Sequence, residues 1–225
     1  MRAGDRPRIA VVDYGAGNLV SIGQALLAVG ADVTLAARPD ALAGADALVV
    51  PGVGAAAPAM NRLRRRRLLD PILDWLAADR PFLGICLGLQ LLFDASDEDG
   101  ARTFGLIPGR TSLLSAAPRL PHIGWNQVQL RRDDPLFEGI PNGSNFYFVH
   151  SYAGFPGGPD ADTIALADTE HGGRFVSAVA RGRMAGVQFH PERSGRDGLR
   201  LLANFVGSLG GAIEREPALV GAAGR

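Results

Sequence analysis

The twelve residues from Phe82 to Phe93 read FLGICLGLQLLF, and few folds can hold them. Phe82 to Ile85 is an apolar run of strand length, and Leu87, Leu91 and Leu92 fall at helical spacing. Between the two patterns stands the chain's only cysteine, Cys86, with Gly84 and Gly88 two residues to either side. A strand that turns sharply into a helix at a reactive side chain is a nucleophile elbow, here with cysteine in the serine position of G-x-S-x-G. The glycines have a steric reason. The helix packs close to the strand it has just left, and a Cβ at either position would collide with the turn. The elbow also sets the sulfur at a helix N-terminus, where free N–H groups and the dipole favour thiolate, the reactive form. Lone cysteines are also commonly buried structural residues, so this stretch alone leaves both readings open.

The rest of the chain suits an α/β protein. A chain of 225 residues can be one domain that buries about 70% of its unfolded surface. Net charge is zero and all 23 basic residues are arginine, with no coherent basic stripe. Composition therefore offers no electrostatic reason to expect nucleic acid or an anionic membrane as partner. A single cysteine excludes an intrachain disulfide and suits a reducing compartment, so a cytoplasmic location is expected. The charged start, Met1 to Pro7, runs into a strand without an apolar signal region. Apolar runs fall well short of the ~20 residues that span a membrane.

In chain order, Arg8 to Asp13 reads as a buried strand, Tyr14 to Asn18 as a glycine turn, and Leu19, Ile22, Leu26 and Val29 as one helix face ending at Gly30. The Gly15-x-Gly17 pair is a weak dinucleotide signal, because Val20 stands where the third glycine belongs. Strands are expected at 31–36 and 47–50. The second runs into Pro51-Gly52-Val53-Gly54, a two-glycine turn at the carboxyl end of a parallel strand, where α/β ligand sites lie. One helix is expected over 61–78, its arginines on a solvated face, and an acidic loop over 94–100. From Gly105 the strands shorten: 109–114, 126–129, 145–150, 163–168, 177–181 and 184–189, some paired antiparallel through tight turns such as Arg181-Gly182-Arg183. A closing helix is expected over 198–209. The expectation is one domain over 1–209, a mixed, mostly parallel sheet flanked by helices with an antiparallel β-rich second half, and a flexible tail over 210–225.

A cysteine nucleophile needs a base, and the base needs a group that holds its tautomer. Of four histidines, His122 falls in an expected loop, His150 ends an aromatic strand and His171 sits in an exposed-looking turn. His190 is the strongest candidate. Pro191 stops its strand, and Glu192, two residues on, falls on the same side of an extended chain. Cys86, His190 and Glu192 thus compose a relay for acyl transfer through a thioester. One oxyanion donor would be the Leu87 N–H, and the second would come from the Gly52-Val53-Gly54 loop. No C-x-x-C or H-x-x-x-H pattern supports a metal, and no cofactor is expected.

The elbow Gly84 to Gln90, the Pro51-Gly52-Val53-Gly54 loop and Gln188-Phe189-His190-Pro191-Glu192 resemble the class I (triad) glutamine amidotransferases. Val12 to Leu19, His122 to Asn126 and Tyr147 to Tyr152 narrow the resemblance to the glutaminase subunits of imidazole glycerol phosphate synthase, over about residues 9 to 206. The resemblance implies that glutamine is hydrolysed to glutamate and ammonia. It further implies that ammonia passes, within a heterodimer, to a (β/α)₈-barrel cyclase subunit of histidine biosynthesis, which forms imidazole glycerol phosphate and an aminoimidazole carboxamide ribotide. Gly52, Gly54, Gln90, Glu98, His150, Ser151 and Tyr152 would line the glutamine site, and Val53 would be the oxyanion-loop residue whose amide flips on activation. Asn18, Trp125 and Arg193 would lie toward the cyclase, with Arg193 standing where the family pattern has lysine. The alternatives are another triad amidotransferase glutaminase, a catalytically silent docking subunit, and a peptide-cleaving cysteine hydrolase. The intact Cys86, His190 and Glu192 argue against the silent subunit.

Overall fold

The computed structural model describes residues 6–210. In chain order the strands and helices are β1 (Arg8–Val12), α1 (Leu19–Ala28), β2 (Asp32–Ala36), β3 (Ala47–Gly52), α2 (Ala56–Arg65), α3 (Leu69–Ala77), β4 (Phe82–Cys86), α4 (Leu87–Gln90), β5 (Phe93–Ser96) and β6 (Ile107–Leu113). They continue with β7 (His122–Gln127), β8 (Gln129–Leu130), β9 (Asn145–His150), β10 (Tyr152–Pro156), α5 (Ala161–Ile164), β11 (Ala165–Glu170), β12 (Arg174–Arg181), β13 (Met184–Val187) and α6 (Gly195–Gly207).

The main sheet runs β2-β1-β3-β4-β13-β12-β11-β8. Its first four pairings are parallel and its last three antiparallel. The inner parallel strands β1, β3, β4 and β13 are buried on both faces, which explains their nearly unbroken apolar sequences, whereas β2 (DVTLA) lies at the sheet edge and is largely exposed. Ile9, Val11, Val49 and Ile85 join α1 and α6 in one core, while Ala10, Val12, Val50 and Phe82 join α2, α3 and α4 in the other. Two small sheets complete the second half, β10-β6-β5 and β7-β9. The expected antiparallel strands are thus shared among three sheets rather than gathered in one. The Arg181-Gly182-Arg183 turn does join an antiparallel pair, β12 and β13.

Several expectations need correction. The single helix over 61–78 is two helices, α2 and α3, broken where Arg67 takes a left-handed φ of 57° and Leu68 turns inward to full burial. Tertiary burial of Leu68 overrides the continuous helical pattern. The helix after the elbow is one turn long, because Leu91 and Leu92 lead into β5 rather than extending it. The first part of the expected acidic loop is β5 itself. His122 lies in a strand, since β7 begins there and pairs its whole length with β9. β10 was not anticipated, because Gly154 and Pro156 conceal it. Residues 211–225 and the first five residues lie outside the described range, and with them most of the expected tail and the charged start.

Candidate active site

Strand register brings the site together. β4 lies between β3 and β13, with Cys86 opposite Gly52 on one side and Ile85 opposite Val187 on the other. Cys86 therefore emerges at the carboxyl end of the sheet, between the glycine loop and the segment that leads to His190. Its φ of 55° and ψ of −107° depart from the usual backbone of a residue with a side chain. Such a conformation costs ~1–3 kcal/mol and persists only where its surroundings enforce it. Here the turn is so tight that only glycine fits on either side of it. A Cβ on Gly84 would meet the Gly88 carbonyl group at 2.5–2.6 Å, and one on Gly88 would overlap the Val50 carbonyl oxygen. A four-residue helix carries a small dipole, so the main counter-charge to the sulfur must come from elsewhere.

His190 supplies it. The main ladder ends at Val187, and Pro191 opens a 3-10 turn, Pro191–Arg193, that folds Glu192 back. Glu192 thus accepts from His190 Nδ1 at 2.9 Å through the turn, not along an extended chain as expected. Both side chains are more than nine-tenths buried. His190 Nε2 finds no hydrogen-bond partner on another residue at normal distance, yet it lies close enough to the cysteine to feel its charge. Burial alone would lower the His190 pKa, but the Cys86 sulfur and the Glu192 carboxylate outweigh it and push it up to about 10. The imidazole is therefore held as imidazolium at neutral pH. The turn is fastened to β9: the His190 N–H donates to the Tyr147 carbonyl at 2.9 Å, Ser194 Oγ donates to the His190 carbonyl at 2.6 Å, and the Tyr147 N–H donates to Ser194 Oγ at 3.0 Å. Phe189 packs on Phe146 with ring centroids 4.2 Å apart.

A cavity of about 250 Å³ opens over the sulfur, bounded by Val53, Gly54, Cys86, Leu87, Gln90 and Glu98 on one side and by His150, Ser151 and Tyr152 on the other. These are the expected oxyanion-loop and substrate residues with one exception. Gly52 lies behind the wall, where a Cβ would overlap the Tyr14 hydroxyl and come within 2.9 Å of Leu87 Cβ. Gly54 takes a φ of +90°, the left-handed conformation that suits glycine, and Val53 is half exposed beside it. Burial and the neighbouring Asp99 raise the pKa of Glu98. Among the described residues, no group of three or more His, Cys, Asp or Glu could hold a metal ion.

From the cavity wall inward runs a hydrogen-bonded pair of histidines, His150 and His122, that the pattern of isolated residues did not reveal. His150 Nδ1 donates to the Tyr152 carbonyl at 2.8 Å, which leaves its Nε2 to accept from His122 Nδ1 at 3.1 Å. His122 Nε2 in turn accepts from Asn126 at 3.1 Å, and the His171 ring stacks on His122 at 4.0 Å. Burial lowers His150 to about 3, with nearby histidines adding to the effect, and lowers His122 to about 4. On the outer face of β7, Trp125 is more than half exposed and meets the Tyr147 ring edge-on, and the Arg193 guanidinium lies 4.1 Å over that ring. This contact suits the planar arginine found where lysine was expected. Asn18 caps α1, its side chain accepting from the Ser21 N–H at 3.2 Å.

The protein-family model for class-I glutamine amidotransferases matches residues 10–208. Imidazole glycerol phosphate synthase subunit HisH of Synechococcus elongatus is 48% identical over 204 residues, covering 89% of this chain and 93% of its own. The protein of the same description from Symbiobacterium thermophilum is 49% identical over 199 residues, covering 88% and 92%. Among solved structures, PurLQS from Thermotoga maritima aligns with a TM-score of 0.71 at 18% identity, covering 91% of this chain and all of that one. A solved glutamine amidotransferase aligns with a TM-score of 0.68 at 19% identity, covering 90% of this chain and 99% of that one. At those identities the structural likeness concerns the fold. The elbow, the folded-back His–Glu pair and the high-coverage sequence matches converge: the chain belongs to the class-I glutamine amidotransferases and, within them, to the family of imidazole glycerol phosphate synthase subunit HisH.

Proposed function

We propose that the chain is the glutaminase subunit of imidazole glycerol phosphate synthase, hydrolysing glutamine and passing the ammonia to a cyclase subunit for histidine biosynthesis. The observation that carries the reading is the Cys86 sulfur at the cavity with His190 beside it, its Nδ1 hydrogen-bonded to the buried Glu192 carboxylate at 2.9 Å. The sulfur, as thiolate, attacks the side-chain carbonyl carbon of glutamine. The tetrahedral oxyanion forms beside the backbone N–H groups of Leu87 and Val53, each such donor being worth ~3 kcal/mol of barrier. His190 gives its proton to the departing nitrogen, ammonia leaves, and a thioester remains. Neutral His190 then takes a proton from water, which attacks the thioester, and glutamate departs as the thiolate–imidazolium pair is restored. Gly54, Gln90, Glu98, His150, Ser151 and Tyr152 hold the substrate.

The partner is a (β/α)₈ barrel that forms a heterodimer through the face carrying Asn18, Trp125 and Arg193. An exposed tryptophan beside a stacked arginine is the composition of an interface anchor. The work is cytoplasmic. Among the described residues no helix is long and apolar enough to cross a membrane.

The test is a glutaminase assay with and without the cyclase partner and its ribotide substrate. Cys86→Ala should abolish glutamine-dependent synthesis while added ammonia still supports the cyclase. The wild-type chain alone should be weakly active and strongly stimulated by the liganded partner. Glutaminase activity surviving in Cys86→Ala would refute the nucleophile assignment, and full activity of the isolated chain would refute activation through the Val53 loop.

A further inference from the structure

Gln188 is completely buried, one residue beyond β13, between the sulfur and Gln90. Its backbone N–H donates to the Ser177 carbonyl at 2.9 Å, so its position is set by the sheet. Its side chain makes two contacts. Nε2 lies 3.6 Å from Cys86 Sγ, and Oε1 accepts from Gln90 Nε2 at 3.1 Å.

The direction of this chain follows from its far end. A carbonyl oxygen can only accept, and the Tyr152 carbonyl takes a Gln90 N–H at 2.7 Å. That pins the Gln90 amide nitrogen, whose second N–H then reaches Gln188. Gln188 must meet it with oxygen, which turns its own N–H groups to the sulfur. Rotating Gln90 would set its carbonyl against that of Tyr152, and rotating Gln188 alone would set nitrogen against nitrogen. Two carboxamides thereby convert one fixed backbone acceptor into a donor aimed at Cys86. With both N–H groups engaged, Gln90 offers the cavity its carbonyl oxygen, an acceptor suited to an amide N–H or ammonium of the substrate.

We infer that Gln188 is a positioning residue for the reaction. Its carboxamide supplies the side-chain N–H that faces the Cys86 thiolate, and it holds Gln90 with its carbonyl turned to the substrate. The inference rests on Cys86 as the nucleophile.

Because Cys86 is the only cysteine, iodoacetamide alkylation of the full-length chain reads it alone. At a fixed pH, Gln188→Met should slow alkylation about tenfold, as loss of a hydrogen bond to a charged acceptor implies. In the complex with the cyclase it should lower kcat and raise KM for glutamine, with ammonia-dependent synthesis retained. Gln90→Met, which touches no sulfur, should also slow alkylation, and the double variant should be no slower than Gln188→Met. Alkylation within about twofold of wild type in Gln188→Met, or single effects that multiply in the double variant, would overturn the inference. In the wild-type protein, the side-chain amide resonance of Gln188 should shift when Cys86 is alkylated. An unmoved resonance would overturn it without any variant. Glutaminase activity in Cys86→Ala would instead overturn the nucleophile assignment on which it stands.

Discussion

Gly52 and Tyr14 allow a quantitative test of how the glycine loop is seated. Gly52 pairs with Cys86 across β3 and β4, and its φ lies outside the left-handed region, so alanine suits its backbone. The obstacle is contact. A Cβ there overlaps the Tyr14 hydroxyl and then meets Leu87 Cβ at 2.9 Å and Cδ2 at 3.3 Å. Overpacking of this kind costs ~1–3 kcal/mol. In a domain this size, ~2 kcal/mol lowers Tm by about 4–8 °C. The Tyr14 hydroxyl is itself fully buried without a hydrogen-bond partner, and burial with the Cys86 charge holds the phenol well above its ordinary pKa. Removing an orphaned hydroxyl relieves ~1 kcal/mol, so Tyr14→Phe should stabilise. In the double variant the new methyl no longer meets oxygen, and the two changes should recover ~1 kcal/mol beyond their sum. Urea unfolding of the four proteins measures that coupling. Glutaminase activity should recover less than stability, because the Leu87 contact remains and the Leu87 N–H is a proposed oxyanion donor. Additivity within ~0.5 kcal/mol would show that Tyr14 does not confine Gly52, and would refute the reasoning.

Glu192→Gln leaves His190 with Cys86 as its only charged partner among those that raise its pKa. Glutaminase kcat should fall by about 10³-fold or more, and the loss of activity at high pH should begin at lower pH, as a pH–rate profile of the complex would reveal. His150 and His122 titrate far below their ordinary 6.5 in the fold, so below that pH the unfolded chain binds protons that the native protein refuses. Stability should therefore fall as pH drops from about 6.5 toward 4, by ~1.4 kcal/mol per pH unit at most for each histidine. His150→Gln should flatten that slope in urea titrations. An unchanged slope would show that His150 is not the group responsible.

The amino-acid order disclosed whatever depends on neighbours along the chain. The strand, turn and helix around Cys86 follow from apolar period and two glycines, and the collisions that a Cβ at Gly84 or Gly88 would cause are local to that turn and the strand beside it. The pairing of His190 with Glu192 was also legible, because only two residues separate them, although the turn at Pro191 rather than an extended chain joins them. The break at Arg67 was not, since burial of Leu68 under tertiary packing decided it against an unbroken helical pattern.

Tertiary structure alone settled what depends on register. Gln188 stood in the run leading to His190 without a role of its own until β13 lay beside β4 and set its carboxamide between the sulfur and Gln90. His122 and His150 come from β7 and β9, with His171 stacked on His122 from a distant turn, and only the pairing of β7 with β9 aligns the donors and acceptors of the first two. Periodicity along a chain records which face a residue takes. It carries no information on which strand will lie opposite, and here that choice is what builds the surroundings of Cys86.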